Sequence, residues 1–567
     1  MIRGGILNFD YRLIDKYNVE DNEIIRLATE VYQEYLGHQL LYNVLGSDAE
    51  SGDKKYFDVN GKLIVMHKRN FEKLGINNLE IVKKTDVKIL FDFIVKEEVH
   101  LLKKILQRVN KSELVFVFYS LACYIAEFHG RIYLTMNDAN IINEFKGLKN
   151  TERHLLSTIS ILKKEQYKIS GLLGMDKAIV QYIFSLILGL PDTVNKSPNI
   201  LDKHMIIDIF ITVAAIIQTI GERELLLSKF YSLQKVQIIN SVIEIPKGLY
   251  CKFSEFIKDL FNNEQKLGME DGVSKELFIT LDENIFSTMG FKYKTLENFI
   301  SDIEMGLALD DRLATLVQKE ILISIIVKGG QCTKYEAEKL IDYLTIEEAS
   351  GADYYLATID KFKTRILKNP LVRVEISNTT AYLFSYPLLF YALFLLRRNI
   401  VYDLILEAKG INSKIIKEKV KNKLVEMVFE EVSKHSDICY CNTYDLDVNI
   451  NSKLRRIHFH REIDALFMVN NKLFITECKD RVFKFTSFGF KKEIGLCIED
   501  INVMVEKYEE VKKYIKELEA LFGYQIKEII MVIVYRHYNA ARHSDIDQKD
   551  VHIVSITEFE EWLLNII

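Results

Sequence analysis

Proline and cysteine are scarce in this chain. Only 5 prolines occur among 567 residues, and because proline breaks helix interiors, this scarcity favours a helix-dominated fold. The 7 cysteines contain no C-x-x-C pair, and the closest two are Cys439 and Cys441. The first residues show no pattern of a secretory signal, so we expect reduced thiols in a cytoplasmic protein.

Several motifs that indicate a function are also missing. The sequence has no internal repeat, no low-complexity tract, no phosphate-binding glycine loop and no zinc-ligand spacing. One sign of charge does not dominate either, since the formal net charge is −5. This balance argues against a generally basic surface, so nucleic-acid binding would have to come from local patches. A hydrophobic fraction of 49% and a charged fraction of 27% are typical of a globular protein with a substantial core.

Apolar runs long enough to cross a membrane are not evident. Residues 204–218 are short for a bilayer, and Asp208 interrupts them. Residues 381–396 are more apolar, but they begin like the second strand of a hairpin. Ser385 and Pro387 then predict the start of a helix, where a cap is useful and the missing proline N–H costs nothing. The sequence therefore predicts no membrane span.

The chain is predicted to be a multi-domain protein with a mainly α-helical N-terminal part that carries small β-hairpins. Residues 1–200 form a helical region with a β-hairpin near 55–66, where Asn60-Gly61 suits a type I′ turn. Residues 201–405 form a helical region with short β-hairpins. Helical periodicity recurs at 21–45, 88–110, 112–128, 152–166, 178–190, 202–220 and 296–305, and strand pairs are expected at 241–253 and 372–384.

Residues 411–567 have a different pattern, which predicts an α/β domain. Its elements are a helix at 413–434, a strand at 437–448, a hairpin at 461–479, a helix at 499–521, strands at 528–535 and 551–554, and a helix at 557–564. Within the hairpin, Asn470-Asn471 separates two apolar runs and suits the positive φ angles of a two-residue turn. With that turn, Val469 faces Lys472.

The same register brings charged residues together at the end of the hairpin. Asp464 then faces Glu477, and directly opposed residues have Cβ atoms about 4.5–5.5 Å apart. Alternation places Lys479 on the same face and puts Glu462 opposite Lys479. Cys478 alternates to the other face, where we expect a core thiol.

Two facing carboxylates repel each other unless a cation lies between them. Mg²⁺ or Mn²⁺ suits such a site, because these ions prefer carboxylate oxygens and complete their shell with water and phosphate oxygens. Lys479 is placed to orient a water or to stabilise developing charge. The alternative is a salt-bridged hairpin in which Lys479 neutralises Glu462 and Asp464. Apolar residues on both strand faces argue against it, because buried uncompensated charge is costly.

Asp464 on one strand and Glu477-Cys478-Lys479 on the next resemble the core motif of the PD-(D/E)XK, or restriction-endonuclease-like, nuclease superfamily. The resemblance covers residues 411–567 and implies a central mixed sheet flanked by helices. It also implies that Asp464, Glu477 and the backbone carbonyl of Cys478 bind Mg²⁺ or Mn²⁺, while Lys479 positions the attacking water.

Further acidic residues are candidates for the same site. Members of the superfamily often carry an acidic residue on the first helix, and Glu418 is our candidate, with Glu430 and Glu431 as alternatives. Glu462 is kept as an additional catalytic candidate. Ile463 stands where the nominal motif has proline, a departure that is common in the superfamily.

Basic residues flank the acidic ones on both sides in the sequence. Such basic residues can contact phosphates and so position a nucleic-acid backbone without reading its sequence. The candidates for substrate binding are Arg455, Arg456, His460, Arg461, Arg481 and Lys484. Ordinary surface charge is the alternative interpretation.

The resemblance predicts a Mg²⁺-dependent endonuclease that hydrolyses phosphodiester bonds, with DNA expected rather than RNA, in a restriction-like defence against foreign DNA. Repair and recombination rank behind defence. The rival hypothesis is a non-catalytic nucleic-acid-binding or scaffold protein with a nuclease-like fold. Residues 1–400 do not indicate their role by sequence. A protein partner or activator bound there, and a homo-oligomer, are left open.

Overall fold

A computed structural model gives the structure of this chain. It describes residues 58–137, 139–143, 166–191, 201–228, 235–267, 285–307, 315–347, 354–357, 364–376, 379–401, 422–436, 438–450, 452–481 and 487–567, with a few isolated positions elsewhere. Contacts divide the chain into two compact units. The first comprises 1–223, 235–244 and 275–400, and the second comprises 224–234, 245–274 and 401–567.

Helices dominate the part of the chain that the structure describes. They are α1 Val59–Lys73, α2 Lys84–Leu106, α3 Lys111–Asn137, α4 Gln166–Leu188, α5 Lys203–Leu227, α6 Lys247–Leu267, α7 Tyr293–Leu307, α8 Lys319–Gly329, α9 Lys334–Leu344, α10 Tyr386–Val401, α11 Asn422–Val432, α12 Ser487–Val511, α13 Ile515–Phe522 and α14 Phe559–Ile566. In the first unit, α3 is buried on all sides from 114 to 126, which explains why its sequence is apolar on every face.

The strands that the structure describes form three sheets. They are β1 Leu7–Asn8, β2 Leu79–Ile81, β3 Val236–Ile239, β4 Val242–Glu244, β5 Thr315–Gln318, β6 Val372–Ile376, β7 Thr379–Phe384, β8 Cys439–Ile450, β9 Lys453–Val469, β10 Lys472–Lys479, β11 Glu528–Tyr535 and β12 Val551–Ser555. The first unit contains the sheets β1-β6-β7-β5 and β2-β3-β4, and the second contains the five-stranded sheet β12-β11-β10-β9-β8. The architecture is therefore mixed, with many helices and several sheets.

The β-hairpin predicted near 55–66 is wrong, because helix α1 begins at Val59. The side chain of Asp58 accepts a hydrogen bond from the Gly61 N–H at 2.8 Å and caps the helix. Asn60 and Gly61 therefore lie in a first helical turn. Buried apolar positions follow at Leu63, Met66 and Phe71, which is helical spacing. The dipeptide signal for a turn was outweighed by the cap and by this periodicity.

The strand pair predicted at 241–253 is displaced toward the N-terminus. β3 and β4 pair around Asn240 and Ser241, whose φ angles of 51° and 59° are those of a tight hairpin turn. Helix α6 begins directly afterwards, and the Leu249 N–H donates to the Pro246 carbonyl at 2.9 Å. The second half of the predicted strand pair is thus helical.

The hairpin predicted at 372–384 is present as β6 and β7. Helix α10 follows at once, as the sequence predicts. The Ser385 hydroxyl accepts a hydrogen bond from the Leu388 N–H at 3.3 Å, and Pro387 lies in the first turn.

The sheet of the second unit combines both strand directions. β8, β9 and β10 form an antiparallel meander, whereas β10 pairs parallel with β11 and β11 pairs parallel with β12. The crossover from β10 to β11 is made by α12 and α13. These two helices cover one face of the sheet, where Met504 and Phe522 join its core. α11 and α14 cover the other face through residues such as Val428 and Phe559. The result is a helix–sheet–helix sandwich with two cores.

Helix α6 belongs to this second unit, although the sequence placed it in the region 201–405. Phe253 and Phe256 lie with their ring centroids 5.3 and 5.1 Å from that of Phe490 on α12. Asp259 lies with Oδ2 3.1 Å from Nε2 of His543. The second unit is therefore discontinuous in sequence, because its compactness depends on a helix far upstream of 411–567.

Helix α5 is the one described helix that is long and apolar enough to cross a membrane. In the structure, 67% of its most apolar window is buried inside the protein. Core helices of folded proteins meet the same criteria of length and composition. Asp208 of this helix pairs with Lys62 at 2.7 Å.

Candidate active site

The hairpin that carries the predicted site has the predicted turn and register. Asn470 and Asn471 have φ angles of 48° and 65°, and Val469 pairs with Lys472. The pairing continues to Ala465 and Thr476, where the regular ladder ends. The next residues, Asp464 and Glu477, are the predicted site carboxylates.

Asp464 meets the facing strand through its side chain. Its Oδ2 accepts a hydrogen bond from the backbone N–H of Cys478 at 2.6 Å. In an extended strand, the N–H and C=O of one residue point to the same side. The carbonyl of Cys478 is therefore directed toward the Asp464 side of β10. The adjacent Lys479 carbonyl accepts from the Arg536 N–H on the β11 side.

A register shift lies in the strand just before the site. Thr443 of β8 pairs with Ile463, whereas Asp445 pairs with His458, so β9 contains extra residues between these pairs. The irregularity ends at Ile463, from which β9 pairs regularly with β8 again. Ile463 packs in the same core as Leu466, although alternation predicts opposite faces.

Glu477 is the most enclosed acidic side chain of the site. It is 6% exposed and lies at the end of β10. One carboxylate oxygen accepts from the Nζ of Lys479, and the other accepts from the Nζ of Lys507. Both partners are cations, so these hydrogen bonds are charge-assisted.

From the sequence, Lys507 fits a substrate-facing residue or a solvated helix face equally well, and it was not assigned to the site. It lies on α12, and its side chain is 4% exposed. Besides Glu477, its ammonium donates to the backbone carbonyl of Glu462. Its position follows from helical spacing, because the core residues Met504 and Val511 lie three residues before and four residues after it. A lysine on the apolar stripe of a helix was the available signal.

The predicted pairing of Glu462 with Lys479 lies beyond the regular ladder of β9 and β10, which ends at Ala465 and Thr476. Glu462 contributes its backbone carbonyl to Lys507, and Lys479 donates to Glu477. Glu462 also lies among the extra residues of β9.

The two carboxyl groups have opposite electrostatic character. Burial, followed by the negative charge of Glu477, raises the pKa of Asp464 to about 6. Burial alone would also raise the pKa of Glu477. Lys507 and Lys479 together outweigh burial and hold the pKa of Glu477 below its ordinary value. Divergent pKa values in neighbouring carboxyl groups are typical of functional sites.

The donor set is compatible with a hard divalent ion. Asp464 and Glu477 supply carboxylate oxygens, and the Cys478 carbonyl is directed to the same side of the strand. Within the described segments, no group of three or more His, Cys, Asp or Glu side chains is arranged to hold a metal ion. A metal here would thus depend on two carboxylates, a carbonyl and water, and it would compete with the ammonium groups on Glu477.

A second layer of ion pairs surrounds the site. Arg481, predicted to contact substrate, pairs with Asp500 of α12 at 2.7 and 2.5 Å, and the Tyr535 hydroxyl donates to the same carboxylate at 2.7 Å. Asp480 accepts a hydrogen bond from Nε of Arg536 at 2.8 Å, and its Oδ2 lies 2.7 Å from Nη2 of the same guanidinium as an ion pair. These pairs fix the chain that leaves β10.

The other predicted phosphate contacts are ion-paired or lie far along β9. Arg455 pairs with Glu517 and Arg456 with Asp445, each at 3.0 Å. They precede Asp464 by nine and eight residues, but the partner strand β8 advances only from Val448 to Thr443 between Arg455 and Ile463. Five residues of strand correspond to roughly 17 Å at about 3.3 Å per residue. One phosphate group cannot contact both ends of that span.

Two predicted residues lie nearer to Asp464 in the sequence. Arg461 pairs with Glu506 of α12 at 3.0 Å and remains half exposed. The backbone N–H of His460 donates to Glu510 at 2.8 Å. Of the predicted set, Arg461 and His460 are therefore better placed than Arg455 for a substrate near the carboxylates.

Two further candidates, Glu418 and Lys484, lie outside the described residues. Of the alternatives to Glu418, Glu431 accepts from Lys434 at 2.7 Å, and Glu430 is exposed. Neither is recorded in contact with Asp464 or Glu477.

Cys478 packs against the core on the α11 side of the sheet, as the alternation predicts. Burial raises its pKa well above the ordinary value, so the thiol stays protonated. Cys439 and Cys441 on β8 face the same core, with their Sγ atoms 3.8 Å apart. Only the backbone of Cys478 is therefore relevant to the site.

Comparisons of this chain with protein-family models, with curated proteins and with solved structures returned no match.

Proposed function

We propose that this protein is a metal-dependent nuclease that hydrolyses phosphodiester bonds, with Mg²⁺ or Mn²⁺ as cofactor. The observation that carries the proposal is the convergence of Asp464, Glu477, Lys479 and the Cys478 backbone at the end of one hairpin. Their positions on β9 and β10, in a mixed sheet covered by helices on both faces, agree with the restriction-endonuclease-like arrangement that the sequence resembles. DNA is the expected substrate, and restriction-like defence against foreign DNA is the expected role.

Each residue has a distinct part in the proposed reaction. Asp464, Glu477 and the Cys478 carbonyl would hold the divalent ion, which would polarise the phosphoryl group and lower the pKa of a bound water. Lys479 is 24% exposed and is the ammonium at the site with access to solvent. It would orient the attacking water and stabilise charge on the phosphoryl oxygens.

A cleavage assay tests the proposal. Plasmid and single-stranded DNA and RNA are incubated with the full chain in Mg²⁺, Mn²⁺ or EDTA. Asp464→Ala and Lys479→Ala should each reduce cleavage on the order of 10²-fold or more, the scale for removing one group that acts in the transition state. Asp447→Ala and Lys453→Ala, at exposed positions on β8 and β9, are the matched controls and should cleave normally.

Metal-dependent cleavage that both site substitutions leave unchanged would show that the activity resides elsewhere. Binding of nucleic acid without cleavage, under every metal condition and unaffected by Asp464→Ala, would instead favour the second candidate function.

That second candidate is a non-catalytic nucleic-acid-binding or scaffold protein that retains the fold. One observation favours it: both oxygens of Glu477 accept from lysines, so the hairpin is electrostatically satisfied without a metal. The raised pKa of Asp464 favours the enzyme, because a purely structural ion-pair cluster gains nothing from a destabilised carboxylate.

A further inference from the structure

The site is electrically balanced before any metal binds. With both carboxyl groups ionised, Asp464 and Glu477 carry two negative charges, and Lys479 and Lys507 carry two positive charges. The surrounding layer is balanced as well, since Arg481 pairs with Asp500 and Asp480 pairs with Arg536. A divalent ion that entered alone would leave a net charge of about +2 in a largely enclosed place, where such charge is costly.

The two lysines differ in whether their ammonium groups can move away from Glu477. Lys479 is partly exposed and can turn toward solvent. Lys507 is enclosed, and its stem lies between core residues of α12. Its second acceptor is the Glu462 carbonyl, which is a fixed part of β9. Lys507 would therefore remain beside a bound metal, and the two cations would repel each other.

A phosphodiester supplies the missing negative charge. Each phosphate of a nucleic acid carries one negative charge, and neighbouring phosphates add to it. A metal that binds together with two neighbouring phosphates would leave the site close to neutral, whereas the metal alone would leave a charge of about +2 and the two phosphates alone about −2. Coupling of this kind is reciprocal, because each ligand raises the affinity for the other by the same factor.

From this charge balance we infer that Lys507 is a fixed counter-cation of Glu477 that makes divalent-metal binding dependent on a bound phosphodiester. The inference rests on the proposed metal-dependent function and specifies its regulation. Lys507 acts through Glu477 and is a positioning residue. Lys507 weakens metal binding until substrate is present, so the metal does not occupy the site in the absence of substrate.

The test measures Mn²⁺ affinity of the full chain by electron paramagnetic resonance at pH 8. Each titration is run with and without a phosphorothioate DNA oligonucleotide, and the oligonucleotide alone is measured to subtract its own Mn²⁺ binding. Wild type should bind Mn²⁺ on the order of 10-fold more tightly with the oligonucleotide, the scale of effect for groups bonded to metal ligands. Lys507→Met should bind Mn²⁺ alone on the order of 10-fold more tightly than wild type.

Two further variants control for folding and for charge. Lys507→Arg keeps the positive charge and should show the wild-type dependence on oligonucleotide. Lys512→Met removes an exposed lysine one turn further along, which pairs with Glu509 at 3.3 Å, and should also behave as wild type. Circular dichroism melts in EDTA identify any variant that has not folded, in which case the Arg variant carries the test.

The outcomes separate the two proposals. Equal Mn²⁺ affinity of wild type with and without oligonucleotide, or no tighter binding by Lys507→Met, overturns the role of Lys507 and leaves the nuclease proposal standing. Loss of the coupling in Lys507→Arg would also overturn it. If neither wild type nor any folded variant binds Mn²⁺ under either condition, the metal-dependent function itself fails, and the role of Lys507 fails with it.

Discussion

At the scale of single residues, the site depends on an acid that is expensive to keep ionised. Asp464 is largely buried beside Glu477, and its carboxylate has one recorded hydrogen bond, from the Cys478 N–H. Glu477, in contrast, is stabilised by Lys479 and Lys507. One carboxylate is thus held in place by cations, and the other is left at higher energy. A cost of this kind at one residue is common where activity and stability compete.

Asp464→Asn should therefore stabilise the protein at pH 8 and not at pH 4. The folded pKa of Asp464, about 6, lies above the unfolded value of about 3.9. Its contribution to folding is fully present below about pH 4 and is lost as the pH rises through about 6. The variant avoids that loss, which is on the order of 1–3 kcal/mol. Chemical denaturation at the two pH values measures the difference.

Asp445→Asn is the matched control for this prediction. Asp445 is exposed, and its hydrogen bonds to Arg456 and His458 lower its pKa. Its replacement should not stabilise the protein at pH 8. An Asp464→Asn variant that is less stable than wild type at both pH values would contradict the electrostatic cost assigned to this residue.

At the scale of elements, local signals predicted those features that are encoded locally. Asn470-Asn471 determined the turn and hence the register of β9 and β10, and the apolar run at 528–535 matched β11 residue for residue. The role of Lys507 was not predictable in this way, because it depends on how α12 packs against the sheet. The register shift in β9 was also missed, since it requires knowledge of the partner strand β8.

The difference between local signals and packing also explains the error at α1. Asn60-Gly61 is a strong turn signal only when the flanking residues pair as strands. Here Asp58 provides a helix cap three residues before Gly61, and the buried residues that follow recur at helical spacing. The turn signal of Asn60-Gly61 competed with the helix cap at Asp58, and the burial of the residues that follow favoured the helix.

The cap at α1 can be tested directly. Asp58→Ala should reduce the free energy of unfolding by about 1 kcal/mol, because the Gly61 N–H loses its acceptor. Asp58→Asn and Asp58→Ser should retain most of the stability that the cap contributes, because both side chains can accept the same hydrogen bond. Amide hydrogen exchange of residues 59–63 should accelerate in the Ala variant. Equal exchange in the Ala and Ser variants would show that Asp58 does not cap this helix.

At the scale of the whole molecule, the two units are not consecutive segments of chain. The second unit takes α6 from far upstream, and α6 packs against α12 through Phe256 and Phe490. Sequence periodicity correctly marks most helices, but it cannot say to which core a helix belongs. The predicted region 411–567 therefore lacks a part of its own fold.

A single tryptophan reports on this unit. Trp562 is the only tryptophan of the chain, and it lies on α14 beside Phe474 and Phe559. Phe256→Ala leaves a cavity next to Phe490 and should lower stability by about 3–5 kcal/mol. The loss of stability should shift the unfolding transition seen in Trp562 fluorescence to a lower denaturant concentration.

Phe429→Ala is the control, because Phe429 is a large exposed residue of the same unit and its removal should have little effect. If Phe256→Ala leaves the Trp562 transition unchanged, α6 is not an integral part of this fold.

The discontinuous second unit has a consequence for the order of synthesis. Helix α6 leaves the ribosome long before the strands of its sheet have been translated. The surface formed by Phe253 and Phe256 has to wait for α12, and for the segment that contains His543, before it is covered. The nascent chain therefore carries an exposed apolar helix through much of its translation. Only when the last third of the chain is complete can this unit, and the site within it, assemble.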